Sequence, residues 1–189
     1  MSTPVLHLLA GPNGAGKSTL AERVLVPVTG LPFVNADHIA ARDWPGTEMG
    51  HAYEASRLAV AERARLLDQR ASFITETVFS HPSKLELVEQ SVAMGYLVHL
   101  HVVMVPVDLS VARVAERMRR GGHEVPEEKI RQRHARLWAL VASARDHADR
   151  TVFYDNTRAA APFREVATFQ NGLPIGEPQW PDWTPVELC

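Results

Sequence analysis

Residues 11–18 read Gly11-Pro12-Asn13-Gly14-Ala15-Gly16-Lys17-Ser18. They match the spacing G-x-x-x-x-G-K-[ST] of a phosphate-binding loop. Each fixed position has a physical reason. Gly11, Gly14 and Gly16 let the backbone curl so that successive N–H groups converge on an anion. A helix starting near Lys17 turns its positive end toward the same anion. Lys17 has the length to reach terminal phosphates, and the Ser18 hydroxyl is a hard oxygen ligand for Mg²⁺. Thr19 can add a further phosphate contact. Gly11, Asn13, Gly14, Ala15, Gly16, Lys17, Ser18 and Thr19 are therefore the expected nucleotide-binding set, with ATP and Mg²⁺ as the expected cofactors. The apolar run Val5–Ala10 ahead of the loop and the helical pattern Ser18–Val26 behind it give the strand–loop–helix setting that the motif needs.

Outward from the loop, strands alternate with helices. Leu31–Asn35 and Ser72–Thr75 read as short strands, Tyr96–Val105 as a strand covered on both faces, and Thr151–Tyr154 as a last core strand. Between them lie helical stretches. His51–Arg70 carries Tyr53, Val60, Ala64 and Leu67 on one stripe, and Ser83–Met94 carries Leu85, Val88 and Val92. Asp108–Arg120 follows with Asp108 as its expected N-cap and Gly121-Gly122 as its stop. The next helix opens at Pro126 and buries Ile130, Leu137, Val141, Ala144 and Ala148. The alternation predicts an α/β P-loop NTPase fold: a parallel five-stranded sheet with helices on both faces and ligands at the carboxyl ends of the strands. Residues 1–160 form the expected domain, with a helical lid over about 113–136. Residues 161–189 read as a short hairpin about Asn171-Gly172, then a tail rich in Pro and Trp packed on the domain.

The chain has 189 residues with 20 Lys+Arg against 22 Asp+Glu, a formal net charge of −2. That balance disfavours a nucleic-acid partner. No apolar run approaches the roughly 18 residues of a membrane span, and Met1-Ser2-Thr3-Pro4 lacks the basic start of a signal peptide. The single cysteine, Cys189, excludes internal disulfides and fits a cytoplasmic setting. Of the basic residues 17 are Arg and 3 are Lys, and ten of the 20 lie between Asp108 and Arg150.

A mechanical ATPase would show an apolar strand ending in acids. Here Pro106 interrupts that run and Asp108 stands at a helix start. A GTPase would carry N-K-x-D, and none of the three lysines lies in that setting. Both absences point to a small kinase, which needs a carboxylate for the acceptor hydroxyl, cations for the phosphoryl group and a cover against water. Asp37, after the second strand, is either that carboxylate or the cap of a short helix. Glu76, beside Thr77 at the end of the third strand, is either a ligand of acceptor or Mg²⁺-bound water, or a solvated strand end. Arg113, Arg117 and Arg120 share one helix face, and Arg131, Arg133 and Arg136 follow the glycine pair. Planar, permanently charged guanidinium groups suit phosphate. His99 and His101 share a face of the fourth strand and, with no third ligand in sight, read as core histidines.

The loop together with Asn35-Ala36-Asp37, Thr75–Ser80, Gly95-Tyr96 and Gly121-Gly122-His123-Glu124-Val125-Pro126-Glu127-Glu128 resembles the zeta-toxin-like P-loop kinases, in particular the small bacterial proteins described as predicted ABC-type ATPases. The similarity runs over about residues 4–157, including Tyr154-Asp155-Asn156-Thr157. It implies phosphoryl transfer from ATP to a hydroxyl of a small molecule, a UDP-amino-sugar in zeta toxins, and a small antitoxin as partner. It places the catalytic aspartate on Asp37, the substrate-binding glutamate on Glu76 with Thr77 beside it, and a phosphate-binding arginine on Arg117. The family's second lid arginine falls near His123, with Arg120 or Arg133 as substitutes. The other readings are a kinase of nucleotides or antibiotics, and a regulatory ATP-binding module acting through a partner protein.

Overall fold

The computed structural model describes residues 3–119 and 125–189. Its centre is a seven-stranded sheet in the order β2-β3-β1-β4-β5-β6-β7. The strands are β1 (Val5–Ala10), β2 (Phe33–Val34), β3 (Phe73–Thr77), β4 (Leu97–Met104), β5 (Arg150–Asp155), β6 (Arg164–Gln170) and β7 (Leu173–Pro174). The first five are mutually parallel, as the alternating pattern predicts. The count of five is short by two: β6 runs antiparallel beside β5 and β7 beside β6, so the C-terminal hairpin continues the same sheet. Asn171 (φ 48°) and Gly172 (φ 75°) turn that hairpin, both in the left-handed region that a two-residue loop needs.

One face of the sheet buries Leu6, Leu8, Val98, Leu100, Val102 and Phe153 against α4 (Ala52–Asp68), α5 (Ser83–Ala93) and α7 (Glu127–His147). The stripe on α4 is only partly the one expected. Leu67 is buried as expected, but Tyr53 and Val60 are 74% and 52% exposed, and Ala55, Ala59 and Leu66 are buried in their place. The small alanines pack inward, and the larger residues of the adjacent stripe are left to solvent. The tail packs on this layer: Trp180 meets Phe153 edge-on at 5.1 Å, and Leu188 is buried beneath α7.

The other face packs Leu9, Ile74, Val103 and Val105 against Leu20, Ala21 and Leu25. Here the expected single helix has a defect. α1 (Lys17–Leu20) passes through a π-helical turn, Ala21–Leu25, into α2 (Val26–Thr29). Pro27 lacks the amide that would bond to Arg23, and its ring crowds that carbonyl, so the wider turn absorbs the conflict. Two further helices complete the fold: α3 (Ala36–Asp43) and α6 (Val107–Arg119). Asp108 lies inside the first turn of α6, not at its cap, and bonds to Arg131 of α7 at 2.9 Å.

Because five strands are parallel, their carboxyl ends share one edge. That edge gathers the loop after β1, Asn35 after β2, Glu76 and Thr77 in β3, and Asn156 after β5.

Candidate active site

The edge opens into a cavity of about 680 Å³. Its floor is the phosphate loop. Gly14 and Gly16 stand at φ 70° and 101°, which a residue with a Cβ adopts only under strain. Gly11 (φ 143°) lies so close to β4 that an added Cβ would sit 2.2 Å from the Val103 carbonyl oxygen. Asn13, Gly14, Gly16, Lys17, Ser18 and Thr19 line the cavity, whereas Gly11 and the fully buried Ala15 shape the loop from behind.

The loop is braced from three sides. Ser110 Oγ donates to the Asn13 carbonyl at 2.5 Å. Arg113 donates to the carbonyls of Gly14 (3.4 Å) and Asn156 (2.9 Å). Asn156 Nδ2 donates to the Ala15 carbonyl at 2.7 Å, and its Oδ1 accepts from Phe163 N. Lys17 Nζ donates to the Pro12 carbonyl at 2.9 Å. Burial pushes the Lys17 pKa down, offset in part by the Glu76 and Asp37 carboxylates. An anionic phosphate would favour the charged ammonium by the same electrostatics.

Asp37 and Asn35 divide the labour expected of Asp37. Asn35 is the N-cap of α3: its Oδ1 accepts from Asp37 N (2.7 Å) and His38 N (3.3 Å). The Asp37 carboxylate is left to face the cavity. The cap also fixes which way the Asn35 amide points. Asn35 is 3% exposed, and its Nδ2 is buried without a partner. Glu76 is the complementary case. Its Oε1 accepts from Ser18 Oγ at 3.0 Å, while its Oε2 is buried and unpartnered. Burial raises the Glu76 pKa, with Lys17 and the Ser18 hydrogen bond working against that rise. Thr77 Oγ1, on the same wall, accepts from Phe79 N at 3.2 Å.

Arg117 of α6 and Arg133 of α7 line the cavity without hydrogen-bond or ion-pair partners among the described residues. Arg113 differs: its guanidinium is spent on the loop. Arg120, Gly121, Gly122 and His123, the expected corner of the lid, lie outside the described residues. Serine, glutamate and aspartate at the loop form a hard-oxygen donor set that fits Mg²⁺.

His99 and His101 lie away from this cavity and have a third companion. His7 Nδ1 is 3.1 Å from His101 Nε2, and His101 Nδ1 is 3.4 Å from the Tyr154 hydroxyl. Burial pushes His7 to about 4 and His101 to about 3, so these rings are neutral at pH 7. Among the described residues no group of three or more His, Cys, Asp or Glu is placed to hold a metal ion.

The sequence reading missed Asn156, Ser110 and the bracing role of Arg113. All three act through backbone carbonyls, so their role is not written in the residue types, although Asn156 lies in a stretch that carries the family resemblance. The Asn35 donor was readable only once its oxygen was known to cap α3.

The sequence profile of the zeta toxin family matches residues 1–166. A protein of Haemophilus influenzae described as uncharacterized is 28% identical over 125 residues, covering 66% of this chain and 88% of that one. Among solved structures, one from the PezAT chromosomal toxin–antitoxin system of Streptococcus pneumoniae aligns with a TM-score of 0.59 at 13% identity, covering 87% of this chain and 72% of that one. Shikimate kinase from Acinetobacter baumannii aligns with a TM-score of 0.53 at 22% identity, covering 84% and 87%. At these identities the structural likeness speaks for the fold, and the profile speaks for the family. The chain belongs to the zeta toxin family and is a P-loop phosphotransferase with an ATP-binding kinase fold.

Proposed function

We propose that the protein transfers the γ-phosphoryl group of ATP to a hydroxyl of a small molecule, with Mg²⁺. The loop amides and Lys17 hold the β- and γ-phosphates. Ser18 would ligate Mg²⁺, with Glu76 and Asp37 beside it; the ion would neutralise phosphate charge. Asp37 takes the proton from the acceptor hydroxyl as its oxygen attacks the γ-phosphorus. The bond to the β–γ bridging oxygen breaks and ADP leaves. Arg117, with Arg120 and Arg133, stabilises the charge on the group in transit, and Glu76 and Thr77 position the acceptor.

The observation that carries this reading is the wall facing Lys17 and Ser18. It holds a free carboxylate at Asp37, an unpartnered donor at Asn35 Nδ2 and an unpartnered acceptor at Glu76 Oε2. The family supports a nucleotide sugar as the acceptor, and the likeness to the PezAT system supports a small antitoxin protein as partner.

The test is transfer from γ-labelled ATP across a panel of nucleotide sugars, nucleosides, free sugars and aminoglycosides. Label in a nucleotide sugar is the expected result. Label in water alone, with no acceptor product, contradicts the reading.

A further inference from the structure

Two cations in the cavity are not explained by the handling of ATP. Arg63 lies on the α4 face that also presents Ser56 and Ala59 to the cavity, and Lys84 lies with Leu87 at the start of α5. The nucleotide phosphates are served by the loop and by arginines of α6 and α7. Arg63 and Lys84 stand on a different wall, built from the helices that flank β3 and its Glu76.

Like Arg117 and Arg133 across the cavity, the pair has no anion among the described residues. Arg42, Arg65, Arg131 and Arg164 each bond to a carboxylate. Neither the Arg63 guanidinium nor the Lys84 ammonium has a hydrogen-bond or ion-pair partner among the described residues. Arg63 and Lys84 also line an adjoining groove with Asp68 and Glu86, yet neither carboxylate pairs with them. Both cations are half-buried, and burial pushes the pKa of each down, with Arg63 further depressing Lys84. Two like charges, partly desolvated and unpaired, oppose folding unless a ligand compensates them.

We propose that Arg63 and Lys84 form an anion subsite that holds a phosphate group of the acceptor, so that the enzyme prefers a phosphorylated acceptor to its neutral counterpart. The inference rests on the kinase reading, because it assigns this wall to the acceptor. A guanidinium fork and a point-charge ammonium together offer two positive charges and several donors. A phosphate dianion matches that charge, and a monoanionic carboxylate leaves half of it unmatched.

The experiment uses the full chain saturated with a non-hydrolysable ATP analogue and Mg²⁺, so that the phosphate loop is filled. Inorganic phosphate and, separately, acetate are titrated in and binding is followed by NMR or calorimetry. The expected result is one further phosphate site, at least tenfold tighter than acetate. It should weaken at least tenfold in the double variant Arg63→Gln, Lys84→Gln, with the affinity for the analogue changed less than twofold. Arg63→Lys keeps the charge and should retain phosphate within about threefold, which separates lost recognition from a damaged fold. No further phosphate site, equal binding in the double variant, or acetate binding as tightly as phosphate overturns the subsite. Phosphoryl transfer by the wild type in any of those cases leaves the kinase reading standing, whereas its absence removes that reading on separate grounds.

Discussion

The two halves of the cavity are built in opposite ways. On the nucleotide side the groups that brace the loop backbone are spent on it, Ser110, Arg113 and Asn156 all bonding to loop carbonyls or to each other's backbone, while Asn13 Oδ1, Arg117 and Arg133 stay unpartnered among the described residues. On the acceptor side they are held in reserve: Asn35 Nδ2 and Glu76 Oε2 are buried without partners, and Arg63 and Lys84 line the cavity without them. The first arrangement stabilises the fold and presets a cradle. The second costs stability, since buried polar groups lacking partners are unfavourable. The difference separates a rigid platform for one common ligand from a wall whose groups await a particular one.

The contrast predicts mutational effects of opposite sign. Asn156→Ala removes the brace to Ala15 and the partner of Phe163 N. It should lower stability by about 2 kcal/mol and weaken ATP roughly tenfold, about 1.4 kcal/mol. Urea unfolding and ATP titration check this; unchanged values for both would remove the distinction between the halves.

Glu76→Gln should act in the other direction, and less. Its folded-state pKa is raised by burial, so the ionised native form is disfavoured relative to the unfolded chain. The sign follows: stability is greatest while the carboxyl is protonated in both states, and is lost as pH rises through the native pKa. A neutral isostere should therefore stabilise the free protein at pH 7–8 by about 1 kcal/mol. The gain should vanish below about pH 4, where the carboxyl is neutral in both states. Transfer should fall at the same time. A Glu76→Gln protein less stable than wild type at pH 7–8 would mean that the acceptor wall is structural.

The parallel frame was legible because apolar strands, helix signals and the glycine-rich loop all repeat one pattern. The edge strands were not. β6 alternates and pairs by backbone with β5, so the sequence shows a hairpin without showing that it continues the sheet. On α4, Tyr53 and Val60 are larger and more apolar than Ala55 and Ala59, and hydrophobicity alone selected a stripe that is only partly right. That error also hid Arg63, which shares the cavity-facing side with Ala59. In the site, Lys17 and Ser18 follow from the motif. Asp37 did not resolve from sequence, since an aspartate before a short helix reads equally as a cap. Only the Asn35 hydrogen bonds to the start of α3 free it for the cavity.

The most direct test of the central claim is phosphoryl transfer by Asp37→Asn, measured beside its ATP affinity. With the cap supplied by Asn35, the substitution leaves α3 and the phosphate loop in place. Transfer should drop by roughly 10²–10⁴, with ATP bound as tightly as by the wild type to within about threefold. Transfer at the wild-type rate would contradict the assignment of Asp37 as the base, and with it the division of the cavity into a nucleotide half and an acceptor half.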